Sequence, residues 1–550
     1  MNYIPEYYSD WFQYAFNTEC EQRFLSLEPE ELLKICDVID VYAGEQPKLS
    51  GCVPVHYEDG KLYVLKEGHT RVAGDTGSKK SRTVVRGSII ASALTGDSMI
   101  ITDPKGELYE DPKLRHLLDT QGYNVCCLDF RKFDKDALNI IGPAFDLIRR
   151  GKVQESDAFI DRFLSMLVES NKGGNIDPFW NNQSAQLLGS IIRSLRNALI
   201  QMDDKERFNL SSVLTFIRQE RESVERIFAQ AVRQSTAVRD PIKIYHDMVN
   251  ASAERTYSSI VSTTQSLLAP MTSSDALLRM LCCDTLDMAS LYNRKTAVFL
   301  VVPDESKAFD QLSGYIVNLF YETLLMEFAD QYQGRKYPPC NINVIVDEAA
   351  SIQIHDMASK ISAGRSRFIN FTIIYQSEKQ MALAYKDYGT IVGNCRNYIF
   401  LGSTDFDNLR YVSDSLGRST LSPDGGTVPM VSVDDLRRMR KEKSYKEALV
   451  VVGNYILSAR LPDYDIYPFL KKEFRHVIQT ENRLPWRILV YTPEEMAEDY
   501  RTGKIRMIGS KPVKKAPRPD KSGNEYLEEA LKAKMSELFG DDSEDCNGEG

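Results

Sequence analysis

The sequence predicts an α/β fold: a mostly parallel sheet carrying a phosphate-binding loop, with a long all-α segment inserted between its strands. Three observations lead there. Ala73-Gly74-Asp75-Thr76-Gly77-Ser78-Lys79-Lys80-Ser81 reads as a strand end, a glycine loop and a helix start. In that arrangement backbone N–H groups and the positive end of a helix dipole can cradle a polyphosphate. Short apolar runs alternate with helical stretches on both sides of the chain's middle, and such alternation implies parallel strands with ligands at their C-terminal ends. From about 156 to 291 the strand runs vanish and apolar residues recur at helical spacing, as in Ala185, Leu188, Ile191, Ile192 and Leu195.

Taken in order, residues 1–60 read as a lead-in, helical and then a hairpin. Pro29 to Cys36 has helix-start character, and Asp59-Gly60 supplies the turn of a hairpin from His56 to Leu65. The first part of the sheet domain is placed at 61–155. It holds the glycine loop, a helix over Ser88–Leu94, and a strand at Ser98–Asp103. A helix follows from about Leu108 to Thr120, then a strand at Tyr123–Asp129. Asp103 and Asp129 end their strands, where ligands are expected. The inserted all-α domain is placed at 156–291, and the sheet domain resumes over 292–470. Strands there are expected at Thr296–Val302, Ile342–Val346, Phe371–Tyr375, Tyr398–Gly402 and Ala448–Val452, with a helix near Gly314–Asp330. After about Pro468 compactness is expected to end. Residues 471–550 read as an extension with a Pro/Lys linker near Lys511–Pro519, an amphipathic helix over Asn524–Phe539, and an acidic, disordered end from Asp541.

A chain of 550 residues is long enough for two to four domains. Its 43% hydrophobic and 27% charged residues are globular values. A net charge of −10 argues against a protein that coats DNA by bulk charge, but leaves local basic patches open. The ten cysteines contain no C-x-x-C pair and read as buried thiols of a reducing compartment. No apolar run approaches the length that spans a bilayer.

The phosphate-loop pattern is Gly, four residues, then Gly-Lys-Ser/Thr. Gly74, Lys80 and Ser81 are in register, and Lys79 stands at the second glycine. In this reading the loop residues Gly74, Thr76, Gly77 and Ser78 cradle the phosphates, Lys80 reaches the β- and γ-phosphates and Ser81 binds Mg²⁺. The bland alternative is a Gly/Lys surface turn. The companion is Val346-Asp347-Glu348, an apolar strand ending in two acids: Asp347 to hold Mg²⁺, Glu348 to orient and deprotonate the attacking water. Acids at a helix start are the alternative. Gln376, after Phe371–Tyr375, is placed to contact the γ-phosphate or the water, unless Ser377 beside it simply caps a helix. Arg365 and Arg367 read as surface charges or as arginine fingers completing a neighbour's site.

These stretches together resemble the TraG/TraD-type coupling proteins of type IV secretion, the conjugative DNA-transfer ATPases. The resemblance runs from about His69 to Pro468. It rests on the loop with Lys80-Ser81, on Asp103-Pro104-Lys105-Gly106-Glu107-Leu108, on Phe179-Trp180, on Asp347-Glu348, and on Gln376-Ser377 with Gln380 and Tyr385. The Asp-Pro-Lys-Gly-Glu-Leu stretch is the most specific. The resemblance implies a RecA-like P-loop NTPase core with an inserted all-α domain, and ATP with Mg²⁺ as cofactors. It further implies a homo-hexamer that moves single-stranded DNA by ATP hydrolysis, linking a relaxase (relaxosome) to the secretion channel. It assigns Lys80 and Ser81 to phosphate and Mg²⁺, Asp347 and Glu348 to the second motif, Gln376 to the third, and the arginine finger to Arg365 rather than Arg367. The expected location is cytoplasmic, at the inner face of the bacterial membrane, reached through an anchoring protein. Lys79 departs from the family pattern, and the expectation is an extra cation beside the phosphates that disturbs their geometry. Lys79 supports one alternative, an adaptor that docks secretion substrates without turnover; a second, independent of it, is a DNA translocase of the same core working outside secretion.

Overall fold

The computed structural model describes residues 23–506, apart from 44–45, 47, 50, 67, 171–177, 235–239, 304–306, 335–336, 420–426 and 471–482. The expected linker, amphipathic helix and acidic end lie outside the described residues, as do residues 1–22 of the lead-in.

Fifteen strands are described: β1 (Arg23–Leu25), β2 (Cys36–Asp40), β3 (Pro54–Glu58), β4 (Lys61–Leu65), β5 (Thr70–Ala73), β6 (Ser98–Asp103), β7 (Asn124–Asp129), β8 (Thr296–Val301), β9 (Ile342–Val346), β10 (Ile369–Tyr375), β11 (Asn397–Phe400), β12 (Arg418–Ser419), β13 (Val428–Pro429), β14 (Tyr445–Val452) and β15 (Tyr455–Pro462). Ten of them form one sheet in the order β1-β15-β14-β11-β5-β10-β9-β6-β8-β7. From β11 to β7 every neighbouring pair is parallel, while β14 joins β11 and β15 antiparallel. The central strands are buried on both faces, which is why they read as unbroken apolar runs. Alternate residues feed two cores. Ile100, Cys126, Val298 and Ile373 face one, with the helix Lys307–Gln331; Met99, Cys127, Phe299 and Ile374 face the other, with the helix Arg86–Thr95.

The expected hairpin is β3–β4. Asp59 and Gly60 both have positive φ, the geometry that twists with the strands. It belongs to a separate three-stranded sheet, β2-β4-β3, packed on the helix Arg86–Thr95 so closely that a Cβ on Gly87 would lie 2.7 Å from Pro54. Between β7 and β8 every described element is helical, from Gly142–Arg149 through Val153–Ser170 and Pro178–Leu199 to Asp275–Cys282 and a closing turn at Met288–Tyr292.

Two expectations change. The helix after β6 spans Pro112–Thr120, not from Leu108: Asp111 caps it by accepting from Lys113 and Leu114, and the Leu108 and Tyr109 N–H groups are already bound by Asp103. Order also continues past Pro468. The helix Pro493–Thr502 carries a complete capping box, and Tyr491 and Met496 are fully buried against the helical block. Cross-links tie this return segment down, among them Asn209 Nδ2 to Leu489 O, Tyr491 N to Ser212 Oγ, and Arg506 N to Gln201 Oε1.

His69, buried just before β5, accepts the Phe371 N–H through Nδ1 at 3.0 Å. Burial pushes its imidazole down to about 4. A depressed histidine is protonated in the unfolded chain before the folded one, so its contribution is intact above about 6.5 and is lost as pH falls toward 4. His69→Gln keeps an acceptor without the titration. Thermal melting at pH 7 and 4.5 is therefore expected to show a larger acid loss for the parent chain than for this variant, by about 2–3 kcal/mol; equal losses would remove His69 as the titrating group.

Candidate active site

The parallel register brings three strand ends to one edge. Tyr375 pairs with Ala73, and Val346 pairs with Ile373 two residues below it. So the glycine loop after β5, Gln376 after β10 and Asp347-Glu348 after β9 meet at the sheet's C-terminal side, with β10 between the other two. They line a cavity of about 590 Å³ that also takes in Thr76, Gly77, Lys105, Asp103 and Lys441.

The loop is held by its own backbone. Gly74 N donates to Tyr375 O and Asp75 N to Gly402 O. The Asp75 carboxylate accepts from Ser403 Oγ at 2.7 Å and from the Thr404 hydroxyl at 2.8 Å. Gly77, at φ +77°, turns the chain without strain. Its carbonyl accepts from Lys441 Nζ at 2.6 Å. Lys80 is buried and donates to Gly74 O at 2.5 Å. Burial pulls its ammonium down, against the pull of Glu348, Asp347 and Asp75. A π-helical turn, Ser81–Val85, then leads into Arg86–Thr95.

Ser81 Oγ lies 3.3 Å from Asp347 Oδ2. Asp347 is 6% exposed, and burial, reinforced by Glu348, pushes its carboxyl up to about 6. A hydroxyl and a buried carboxylate at that separation fit a hard divalent cation, which takes oxygen ligands and repays the buried charge. Glu348 sits at φ +57°, an uncommon conformation for a non-glycine residue, and its carboxylate oxygens are 3.4 and 3.3 Å from Gln376 Nε2. Ser377 does cap the following helix, accepting from Gln380 N, and that leaves Gln376 free to point at Glu348.

Arg365 is not in this cavity. It is exposed, in the turn Arg365–Arg367 before β10, whereas Gln376 follows β10. The seven residues of β10 separate the two by roughly 23 Å. Arg367 lies in the same turn, donating to Ala363 O. Asp129 is likewise outside the cavity, paired with Arg131. Arg131 also donates to Lys105 O and Glu110, and so ties down the Asp-Pro-Lys-Gly-Glu-Leu loop. Gly106 there has φ +73°, and a Cβ would come within 2.3 Å of the Arg131 guanidinium.

Lys79 corrects the sequence expectation. Its backbone adopts φ +69°, but its ammonium is turned out of the loop. It pairs with Asp463 Oδ2 at 2.8 Å and donates to Glu442 O at 2.6 Å and Lys443 O at 3.2 Å.

Sequence reasoning missed several supports. Thr102 Oγ1 accepts from Asp347 N at 2.7 Å and donates to Asp347 O at 3.0 Å, gripping that residue's backbone from β6. Arg71 and Glu378 form a buried ion pair at 3.0 Å, joined by Tyr375 and Tyr388 and stacked at 3.7 Å over Tyr398. Their separation from each other by 307 residues hid the pairing, although each lies beside a motif; an arginine inside a strand was the available signal.

A RecA-like core whose glycine loop and acidic strand end share one cavity defines a P-loop NTPase fold with a candidate nucleotide site. The family comparison is more particular. Residues 30–450 match the model of the type IV secretory system conjugative DNA transfer family. The chain belongs to that family, and DNA and the secretion machinery are the partners that membership carries. No curated protein matches the sequence. Among solved structures the chain is similar to the bacterial conjugative coupling protein TrwBdeltaN70 in a trigonal form with sulphate (16% identity, 82% of this chain and 96% of that one, TM-score 0.49). It is also similar to plasmid coupling protein TrwB in complex with ADP and Mg²⁺ (18%, 77% and 88%, 0.48), and to VirB4 of Thermoanaerobacter pseudethanolicus (14%, 78% and 99%, 0.39). Among the described residues no helix is long and apolar enough to cross a membrane.

Two substitutions test the supports. Arg71→Met strands the buried Glu378 carboxylate and is expected to cost about 3–5 kcal/mol of stability, read by denaturant unfolding; a loss under 1 kcal/mol would mean water already reaches the pair. Thr102→Val leaves the Asp347 N–H unbonded, at about 1–3 kcal/mol. Denaturant unfolding of the variant checks it, and an unchanged midpoint would show that water replaces the hydroxyl.

Proposed function

We propose that the chain binds ATP with Mg²⁺ at this edge and hydrolyses it to drive conjugative transfer of single-stranded DNA. One observation carries the reading: Lys80, the Ser81–Asp347 pair and the Glu348–Gln376 pair converge on one cavity. The loop N–H groups of Thr76 and Gly77 and the helix start would cradle the phosphates, with Gly74 and Ser78 shaping the turn around them. Lys80 would neutralise the β- and γ-oxygens. Ser81 and Asp347 would hold Mg²⁺, directly or through water; when bound, the ion supplies charge neutralisation between the phosphates. Glu348 would take the proton of the attacking water, and Gln376 would fix that carboxylate's orientation.

Arg365 supports an assembly reading. It is exposed at the far end of β10, so within one chain it cannot reach the phosphates. Across a subunit boundary it would act in trans, in a ring whose expected number is six. The relaxase, the secretion channel and an anchoring protein at the cytoplasmic face of the membrane would be its partners, with DNA gripped through its phosphates and weakened by salt. The non-catalytic adaptor is disfavoured, because the ammonium of Lys79 is engaged away from the phosphate cradle.

The test is ATP hydrolysis by the full chain with and without single-stranded DNA. Turnover that DNA stimulates, lost by at least about a hundredfold in Lys80→Ala and Glu348→Gln, is expected. Mixing Arg365→Ala with Glu348→Gln chains should restore part of the activity, each supplying what the other lacks. Nucleotide binding without hydrolysis at any protein concentration would return the adaptor reading to the lead.

A further inference from the structure

We propose that Lys79 is a positioning residue, a strut that sets the phosphate loop through Asp463, and not a defect in the loop. The inference rests on the nucleotide-binding reading above.

A lysine at φ +69° is held in a conformation that glycine adopts freely and an L side chain resists. Something must hold it there, and the neighbours are specific. The Nζ group has three acceptors, one for each proton: Asp463 Oδ2, Glu442 O and Lys443 O. Asp463 is itself fully buried, and it takes a two-point grip from Arg82 one turn further along, Nε at 2.9 Å and Nη2 at 2.6 Å. The Lys79 carbonyl meanwhile accepts from Arg82 N and Thr83 N and opens the helix that carries Ser81. One residue therefore ties the helix start to both flanks of the β14–β15 hairpin. On the same flank Lys441 holds the Gly77 carbonyl at 2.6 Å, the other side of the loop's turn. Glycine would give the loop its conformation by freedom. Here it is given by an ion pair made across the fold.

The consequence is opposite to what the glycine pattern suggests. Glycine at 79 relieves strain but removes the strut, so it loosens the N–H groups that face the phosphates. Lys79→Met keeps the strained backbone and the bulk without the ammonium. Lys79→Arg keeps a cation that can reach Asp463.

The full-length chain and four variants, Lys79→Gly, Lys79→Met, Lys79→Arg and Asp463→Asn, would be titrated with MgADP by calorimetry well below their melting temperatures, and KM and kcat for ATP measured. Lys79→Gly and Lys79→Met are expected to weaken MgADP binding about tenfold and to raise KM more than they lower kcat. Lys79→Arg should stay within about threefold of the parent. Asp463→Asn added to Lys79→Gly should cost less than it does alone, because the two share one interaction. Lys79→Gly binding as tightly as the parent or tighter, or penalties of the two sites that simply multiply, overturns the strut. If Lys79→Gly fails to fold, the Lys79→Met and Lys79→Arg pair decides in the same way. A parent chain that binds no MgADP at all would instead bring down the nucleotide reading itself.

Discussion

The buried Arg71–Glu378 pair is the constraint on which the candidate catalytic edge depends. Arg71 lies in β5, three residues before the glycine loop, and Glu378 lies two residues after Gln376. Their contact at 3.0 Å locks the strand that carries the phosphate loop to the strand end that carries Gln376. A charge pair with both members under 10% exposed is sustained only if its remaining hydrogen-bonding capacity is met. Three tyrosines meet most of it: the hydroxyls of Tyr375 and Tyr388 bond the carboxylate and the ring of Tyr398 lies against the guanidinium, whose Nε has no hydrogen-bond partner among the described residues. The helix Tyr388–Asn394 and strand β11 are thus recruited to the same lock. Parallel pairing alone would align these strands; the ion pair fixes them at the end where alignment decides chemistry.

What could be read from the sequence was what is local. The unbroken apolar runs of β6, β8, β9 and β10 announced strands buried on both faces. Asp347, Glu348 and Gln376 were nameable because each sits one or two residues beyond such a run, and Lys80 and Ser81 because they stand in register with Gly74 in the phosphate-loop pattern; parallel register does the rest. The helix boundary at Pro112 was within reach, since Asp111-Pro112 is a cap followed by a first-turn proline; the apolar Leu108-Tyr109 drew the expectation too early. The helix Pro493–Thr502 also had its signature in Thr492 and Glu495. Its docking did not, because burial of Tyr491 and Met496 depends on helices nearly 300 residues earlier.

Lys79 shows the limit most clearly. Its position in the motif was plain, and so was its charge. Where the charge goes was not, because Asp463 is 384 residues away. A side chain of four methylenes can leave a loop whose backbone it shapes. Substitution at a glycine position therefore poses two separate questions, whether the φ is tolerated and where the new group points. Only the first is answered by the identity of the residue.

The two supports of the loop are also unequal in kind. Asp75 is satisfied by Ser403 and Thr404 just beyond β11, a parallel strand of the sheet, while Lys79 reaches to the flanks of the hairpin β14–β15, which joins the sheet antiparallel, and Lys441 reaches back from that flank to the loop. Tyr464, in the segment following that hairpin, adds its ring to Arg82, Arg86 and Lys113. The glycine loop is thus gripped on one side by the sheet that aligns the strand ends of the candidate site and on the other by an appended hairpin. Any displacement of the loop must be shared with that hairpin, since the contacts are charge-assisted and Asp463 is excluded from water. Under the proposed reading, a hairpin wired to the loop is where motion coupled to events at the phosphates would begin.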